Sequence, residues 1–293
     1  MATKPDAARL FAPINYTLLT LLAVLSIAPL LHILALSFSS SSEILSGHVT
    51  IFPREFMTDA YREILNDVSL YRSLVFTVVL TATYTALCML MTIVAAFPLT
   101  KRGLKGRKYF IYLIIPTMYF GGGIIPEYLL VKELHLLDTM WSLVLPSLIS
   151  PFYMIILMSF IRSIPQGLEE AAEIDGASPI QLLMRVILPL TIPALVTLSL
   201  FYAVSRWNGF TDSLFYITKA DLYPLQLKLY HIVNNATSID VDMAERLTER
   251  DAPLLPESTK AATIIFAITP IILVYPWLQK YFVSGTMLGS IKE

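Results

Sequence analysis

Six mostly apolar stretches divide the chain, at approximately 16–38, 72–99, 109–131, 139–161, 184–206 and 261–284, with polar connectors between them. Each is long enough to cross a hydrocarbon core of about 30 Å, which takes about 20 residues as helix. The expected fold class is all-α: a polytopic membrane protein with six transmembrane helices in a single domain over 1–293. The first stretch is longer than the apolar region of a secretory leader and contains Pro29 and His32. No convincing small-residue cleavage site follows it, so it is expected to be a retained helix.

The third stretch breaks this regularity. Pro116, Gly121-Gly122-Gly123 and Pro126 fall near its middle. Each glycine costs a helix about 1 kcal/mol relative to alanine, and proline removes a backbone donor. Unpaired backbone at membrane depth is tolerated only against protein or a water-filled cavity. Such a break marks either a substrate pathway or a place where helices pack closely. Glu127 follows, roughly 27 Å along at 1.5 Å per residue, so it is either a site residue or an acid facing water at the outer interface.

The connector 100–108 carries Lys101, Arg102, Lys105, Arg107 and Lys108 with no acid, a density that favours the cytoplasm. With six spans, both termini and the 162–183 connector share that side. The longer connectors, 39–71 and 207–260, then lie outside. In 39–71 a serine run, Ser39–Ser42, predicts a solvated loop with a short interfacial helix. The first half of 207–260 is aromatic and semi-apolar and reads as a re-entrant or lid element; 238–258 is charged and contains proline.

Composition agrees with the pattern: 56% of the 293 residues are hydrophobic, 15% are charged, and mean hydropathy is +0.66. A net charge of −1 gives no electrostatic basis for a nucleic-acid partner. A single cysteine, Cys88, excludes an intrachain disulfide.

The connector 162–183 carries the most specific signal. A helix over roughly 166–175 places Leu168, Ala171, Ala172 and Asp175 on one side, with Glu169, Glu170 and Glu173 around the rest. Gly176 is suited to a helix-ending positive φ. Ser178-Pro179 fits the N-cap and first turn of the next helix. An acidic helix of this kind suits a groove lined with basic residues on a partner. The chain has no GxxxxGK[ST] phosphate loop, HExxH, paired Cys/His ligands or GxSxG elbow. No enzymatic activity and no bound cofactor or metal are expected of it.

The stretch EAAEIDGASPIQLLMRVILP (170–189) has the spacing Glu-Ala-Ala, three residues, Gly176, nine residues, Val186, one residue, Leu188-Pro189. It resembles the coupling loop of the membrane subunits of ABC importers, with Val186 where the family usually has isoleucine. GGGIIPEYLLVKELHLLDTMWSLVLP (121–146), LYPLQLKL (222–229) and YPWLQKYFVSGTMLGSIKE (275–293) are similar to the carbohydrate-uptake branch. Within it they look like the subgroup for complex oligosaccharides, including pectin- or alginate-derived sugars. Glu127 departs from the small polar residue expected there.

The resemblance implies the type I ABC importer fold in a bacterial cytoplasmic membrane. It implies a second, homologous permease, two ATP-binding subunits that carry ATP and Mg, and an extracytoplasmic solute-binding protein that delivers an oligosaccharide. Glu169, Glu170, Ala171, Ala172, Asp175 and Gly176 would form the coupling element, with Glu170 meeting a basic residue of the ATPase. The tail, with Gly285 and Gly289, would supply a second contact. Candidate residues along the sugar path are Tyr119, Gly121, Gly122, Gly123, Glu127, Tyr128, Tyr153, Tyr202 and Asn208. An ion-gradient-driven carrier and a permease for a non-sugar solute remain alternatives at this point.

Overall fold

The computed structural model describes residues 6–235 and 256–287, and every regular element among them is helical. In chain order these are α1 (Asp6–Ser37), α2 (Ser41–Leu45), α3 (Asp59–Asn66), α4 (Val68–Thr100), α5 (Arg107–Ile114) and α6 (Ile124–Glu133). Then come α7 (Pro151–Ser163), α8 (Gln166–Ile174), α9 (Pro179–Leu182), α10 (Leu188–Asn208), α11 (Thr211–Tyr216), α12 (Leu225–Asn235) and α13 (Pro256–Met287). Among the described residues, four stretches are long and apolar enough to cross a membrane: Phe11–Ser37, Val68–Thr100, Pro179–Asn208 and Glu257–Val274. They coincide with the first, second, fifth and sixth predicted spans.

The third and fourth predicted segments are interrupted. Pro116 starts a 3-10 turn, Ile115–Met118, directly after α5. The glycines that follow have no regular structure, and Gly123 takes φ +85° just before α6. In the fourth segment a 3-10 turn (Met140–Leu143) precedes an irregular stretch containing Pro146. Only α7 is α-helical there, started by Ser150, whose hydroxyl accepts the Tyr153 N–H, and by Pro151 in the first turn.

The chain divides into two compact units, Met1–Tyr71 with Leu229–Pro270 and Arg72–Lys228 with Ile271–Glu293. In the first, α1 leaves its apolar side chains largely exposed, Val24 and Leu25 at 61% each, as a lipid-facing helix does. Its end is tied down by Phe38, which stacks on Phe56 at 5.1 Å and on Tyr61 at 4.6 Å. The Tyr61 hydroxyl pairs with Ser37 at 2.8 Å. Ser40 caps α2 and also donates to Glu55 at 2.7 Å. The predicted loop 39–71 thus carries two short helices, α2 and α3.

The second unit has a core drawn from Leu80, Cys88, Val144, Met154, Leu157, Leu182, Ile187, Leu198 and Tyr202. Cys88 is fully buried and free. Where α9 runs into α10 the helix widens into a π turn, Leu183–Ile187, and the Leu188 N–H reaches back to Leu183. Pro189 cannot bond the Arg185 carbonyl, which favours a local change of helix type. The first half of 207–260 is more ordered than a loop. It forms α11, a 3-10 turn (Ala220–Leu222) and α12, anchored by the fully buried Leu225 and Leu227. Much of 238–258 and the tail beyond 287, Gly289 included, lie outside the described residues, whereas Gly285 lies within α13.

Candidate functional site

The 162–183 connector folds as a helix, a bend and a second capped helix. α8 ends at Ile174 with Asp175 as its C-cap, and Gly176 takes φ +79° with open space where a Cβ would stand. The bend is therefore a backbone requirement of glycine rather than a packing one. Ser178 caps α9 reciprocally with Gln181: its hydroxyl accepts the Gln181 backbone N–H while the Gln181 side-chain Oε1 accepts the Ser178 N–H at 2.8 Å.

The face of α8 is rotated relative to the expectation. Ala172 turns inward and packs against the unit's own core, and Glu169 is half-buried. Leu168, Ala171, Glu170, Asp175 and Ile174 face out, Ile174 at 86% exposure. Ile180 on α9 is also exposed, at 72%. Two large apolar side chains thus stand open beside a glycine bend. The sequence signal is an isoleucine on either side of the Asp175-Gly176 bend, Ile174 and Ile180.

Behind α8 lies a cavity of about 790 Å³. Its lining includes Lys101, Arg102, Arg107 and Arg162 together with Glu169, Glu170 and Glu173. Lys101 Nζ donates to Glu169 Oε2 at 2.5 Å and sits 4.9 Å from the centre of the Phe97 ring. Arg162 Nη2 donates to the Leu99 carbonyl at 3.4 Å. The charges of 100–108 carry a topology signal in the sequence, and nothing there marks Lys101 as the partner of Glu169, 68 positions away.

The candidate path residues fall into two groups. Tyr119, Gly121, Gly122, Gly123 and Glu127 are exposed around the start of α6, and Tyr128 stacks on Tyr216 at 6.4 Å. Tyr153 stacks on Phe201 at 5.8 Å and meets the Tyr202 ring edge-on at 4.7 Å. Tyr202 itself is 1% exposed; its hydroxyl lies 2.8 Å from Thr92 Oγ1 and accepts the Ser150 N–H at 3.2 Å. Asn208 is exposed and donates to the Val204 carbonyl. A second, mostly apolar cavity of about 450 Å³ beside Thr85, Ser199 and Val274 is lined by none of these residues.

Two clamps hold the segments around the end of α10. Arg206 is buried and binds Asp212 with both terminal nitrogens, and also the carbonyls of Leu143 and Gly209. Asp138, at φ +57°, accepts from the Thr218 N–H, the Thr218 hydroxyl and the Lys219 N–H. The Thr218 and Lys219 donors hold its carboxyl below the usual carboxylate range. Among the described residues, no group of three or more His, Cys, Asp or Glu side chains could hold a metal.

A family model described as binding-protein-dependent transport system inner membrane component matches residues 70–287. The chain belongs to this family. It is accordingly a multi-pass membrane protein and a non-catalytic permease of the transport system. The polygalacturonan/rhamnogalacturonan transport system permease protein YtcP of Bacillus subtilis (strain 168) is 38% identical, over 97% of this chain and 99% of its own. Protein LplC of the same strain is 40% identical over 98% and 96%. A chain from the crystal structure of a bacterial ABC transporter involved in import of the acidic polysaccharide alginate superposes with a TM-score of 0.87 at 30% identity. That match covers 96% of this permease and all of the other chain.

Proposed function

We propose that this permease forms half of the membrane pathway of an ABC importer that takes up an oligosaccharide, with fragments of acidic polysaccharides as the substrate class. The observation that carries the reading is the outward face of α8, where Leu168, Ala171 and Ile174 stand exposed beside Glu170 on a loop fixed by Gly176 and the Ser178–Gln181 cap. An exposed apolar face with an acid at its edge is built to dock a partner. In a permease of this family that partner is the ATP-binding subunit, two copies of which carry ATP and Mg.

Six crossings follow if α5–α6 and the segment ending in α7 complete the set begun by the four long helices. The density of Lys and Arg over 101–108 puts that connector, α8 and both termini in the cytoplasm. An extracytoplasmic binding protein would then deliver sugar on the opposite side, and Gly285 on α13 would approach the ATPase with the tail. The second permease completes the pathway.

The names of the polygalacturonan/rhamnogalacturonan permease and of the alginate importer support an acidic substrate class. Tyr119, Gly121–Gly123, Glu127, Tyr128, Tyr153 and Asn208 remain this chain's path residues, with Tyr202 bracing Tyr153 from behind. Arg206 is taken by Asp212 and Arg72 by Asp221. Neither of these two arginines is therefore an unpaired cation for a uronate carboxylate.

Mild-detergent purification of the tagged chain from native membranes, with mass spectrometry of its companions, tests the assembly. Recovery of a phosphate-loop ATPase and a second permease is expected, with ATP-dependent uptake of alginate or polygalacturonate fragments after reconstitution. A chain that transports alone, driven by an ion gradient, would overturn the reading.

A further inference from the structure

α4 is bound at three levels to the parts of the second unit that carry function. At its end, Lys101 lies one residue past Thr100 and pairs with Glu169 in the first turn of α8. About two turns before its end, Thr92 meets the Tyr202 hydroxyl at 2.8 Å. Toward its start, Thr77 Oγ1 accepts the Leu225 N–H at 2.7 Å. Nine residues separate Thr92 from Lys101, about 14 Å of helix.

The Lys101–Glu169 pair differs from an ordinary surface ion pair. Only 27% and 24% of the two side chains are exposed, so solvent and salt screen it less than a free pair. The Phe97 ring beneath the ammonium limits its swing. A cation beyond the end of α4 and an anion in the first turn of α8 also match both helix dipoles. Arg162, in the last turn of α7, binds the Leu99 carbonyl and so ties the end of α4 to the helix that precedes α8. Glu170, about 100° further around α8, stays exposed for a partner.

We infer that Lys101 is a positioning residue for coupling. Its ion pair with Glu169 locks α8 to the end of α4, so movement imposed on α8 passes along α4 to Tyr202 and the wall that holds Tyr153. The coupling element thereby extends to a residue 68 positions upstream of Glu169. The inference rests on the importer reading, in which a partner moves α8. A contiguous chain of packed and bonded groups with one stiff member is a physical route for such coupling.

The test uses the complete transporter, with its ATPases, in nanodiscs. Spin labels are placed at Glu173 on α8 and at Leu90 on the exposed side of α4, and the distance between them is measured by pulsed electron resonance. It is compared without nucleotide and after trapping with ATP and vanadate. With Lys101 intact, one narrow distance common to both states is expected. In K101M that fixed distance is lost, and K101R and the charge exchange K101E/E169K restore it.

A distribution in K101M as narrow and as constant as with Lys101 overturns the inference. So does a complex that loses only thermal stability and yield, the result of a purely structural role. A chain that recruits no ATPase and shows no vanadate trapping instead removes the importer reading on which the inference rests.

Discussion

Arg206 grips Asp212 with both arms of its guanidinium, one nitrogen 2.5 Å from one carboxylate oxygen and the other 2.9 Å from the second. The same nitrogens bind the Leu143 and Gly209 carbonyls at 3.1 and 3.2 Å. One side chain thereby joins the end of α10, the turn after it and the Met140–Leu143 turn. The fit is tight: a Cβ on Gly209 would stand 3.0 Å from Arg206 Nη2 and 3.2 Å from the Ser205 carbonyl.

R206M leaves Asp212 and two carbonyls without their cation. Breaking a buried pair from one side costs about 3 kcal/mol or more, and Asp212, at 32% side-chain exposure, places this case at the lower end. Thermal unfolding of the purified chain should show a clear loss in R206M and partial recovery in R206M/D212N, where no charge is left unpaired. Equal stability of R206M and the parent would mean that the clamp contributes nothing.

The Tyr202 hydroxyl is the second polar junction, set between Thr92 and Ser150. Y202F removes it while keeping the ring that supports Tyr153. The expected cost is about 1 kcal/mol for each buried partner left unpaired. T92V should cost less, because the Tyr202 hydroxyl keeps the Ser150 N–H. Thermal unfolding of both variants checks that order, and the reverse order would show that the Ser150 bond is not made in the membrane.

How much of this was readable from the chain depends on the range of the cause. Gly176, Ser178, Pro179 and the break at Gly121–Gly123 act within a few residues, and their positive φ values and caps were legible from residue type. Pro146 and Pro151 were equally local but overlooked, so the fourth span was drawn as one helix when only α7 is α-helical. α11 and α12 are too short to be read as separate helices within a segment that reads as a re-entrant or lid element, and their order comes from burial of Leu225 and Leu227. Lys101–Glu169, Arg72–Asp221 and Asp138–Thr218 join residues 68, 149 and 80 positions apart. A single sequence carries no mark of such pairs. The inward turn of Ala172 was missed because the helical period gives a face but not which neighbour it meets.

Asp138 supplies a pH-dependent prediction. Its folded pKa lies below the ordinary value, chiefly through the Thr218 N–H and hydroxyl. Its contribution is therefore complete above the unfolded carboxylate range, near pH 4, and is lost as pH falls through the lower folded value. At pH 7, D138N should raise hydrogen exchange in the peptide carrying Thr218 and Lys219. In the parent, the same peptide should lose protection, corrected for intrinsic rate, only below about pH 4. Protection unchanged by D138N would show that other contacts hold this turn.

The bend at Gly176 and the isoleucines beside it separate two ways of losing the ATPase. At φ +79° a β-branched residue is strained, by about 1–2 kcal/mol, whereas asparagine tolerates this region and no neighbour blocks its Cβ. G176V should therefore weaken co-purification with the ATPase and uptake by about 5- to 30-fold while G176N largely keeps both. I174E leaves the bend intact but places a charge on the exposed apolar face, and should weaken association by about tenfold, the worth of one buried aliphatic side chain. Full association of I174E, measured by ATPase recovery at fixed detergent and salt, would move the docking face away from Ile174. Loss in G176N equal to that in G176V would show that the glycine matters for its small size against the partner rather than for its backbone angle.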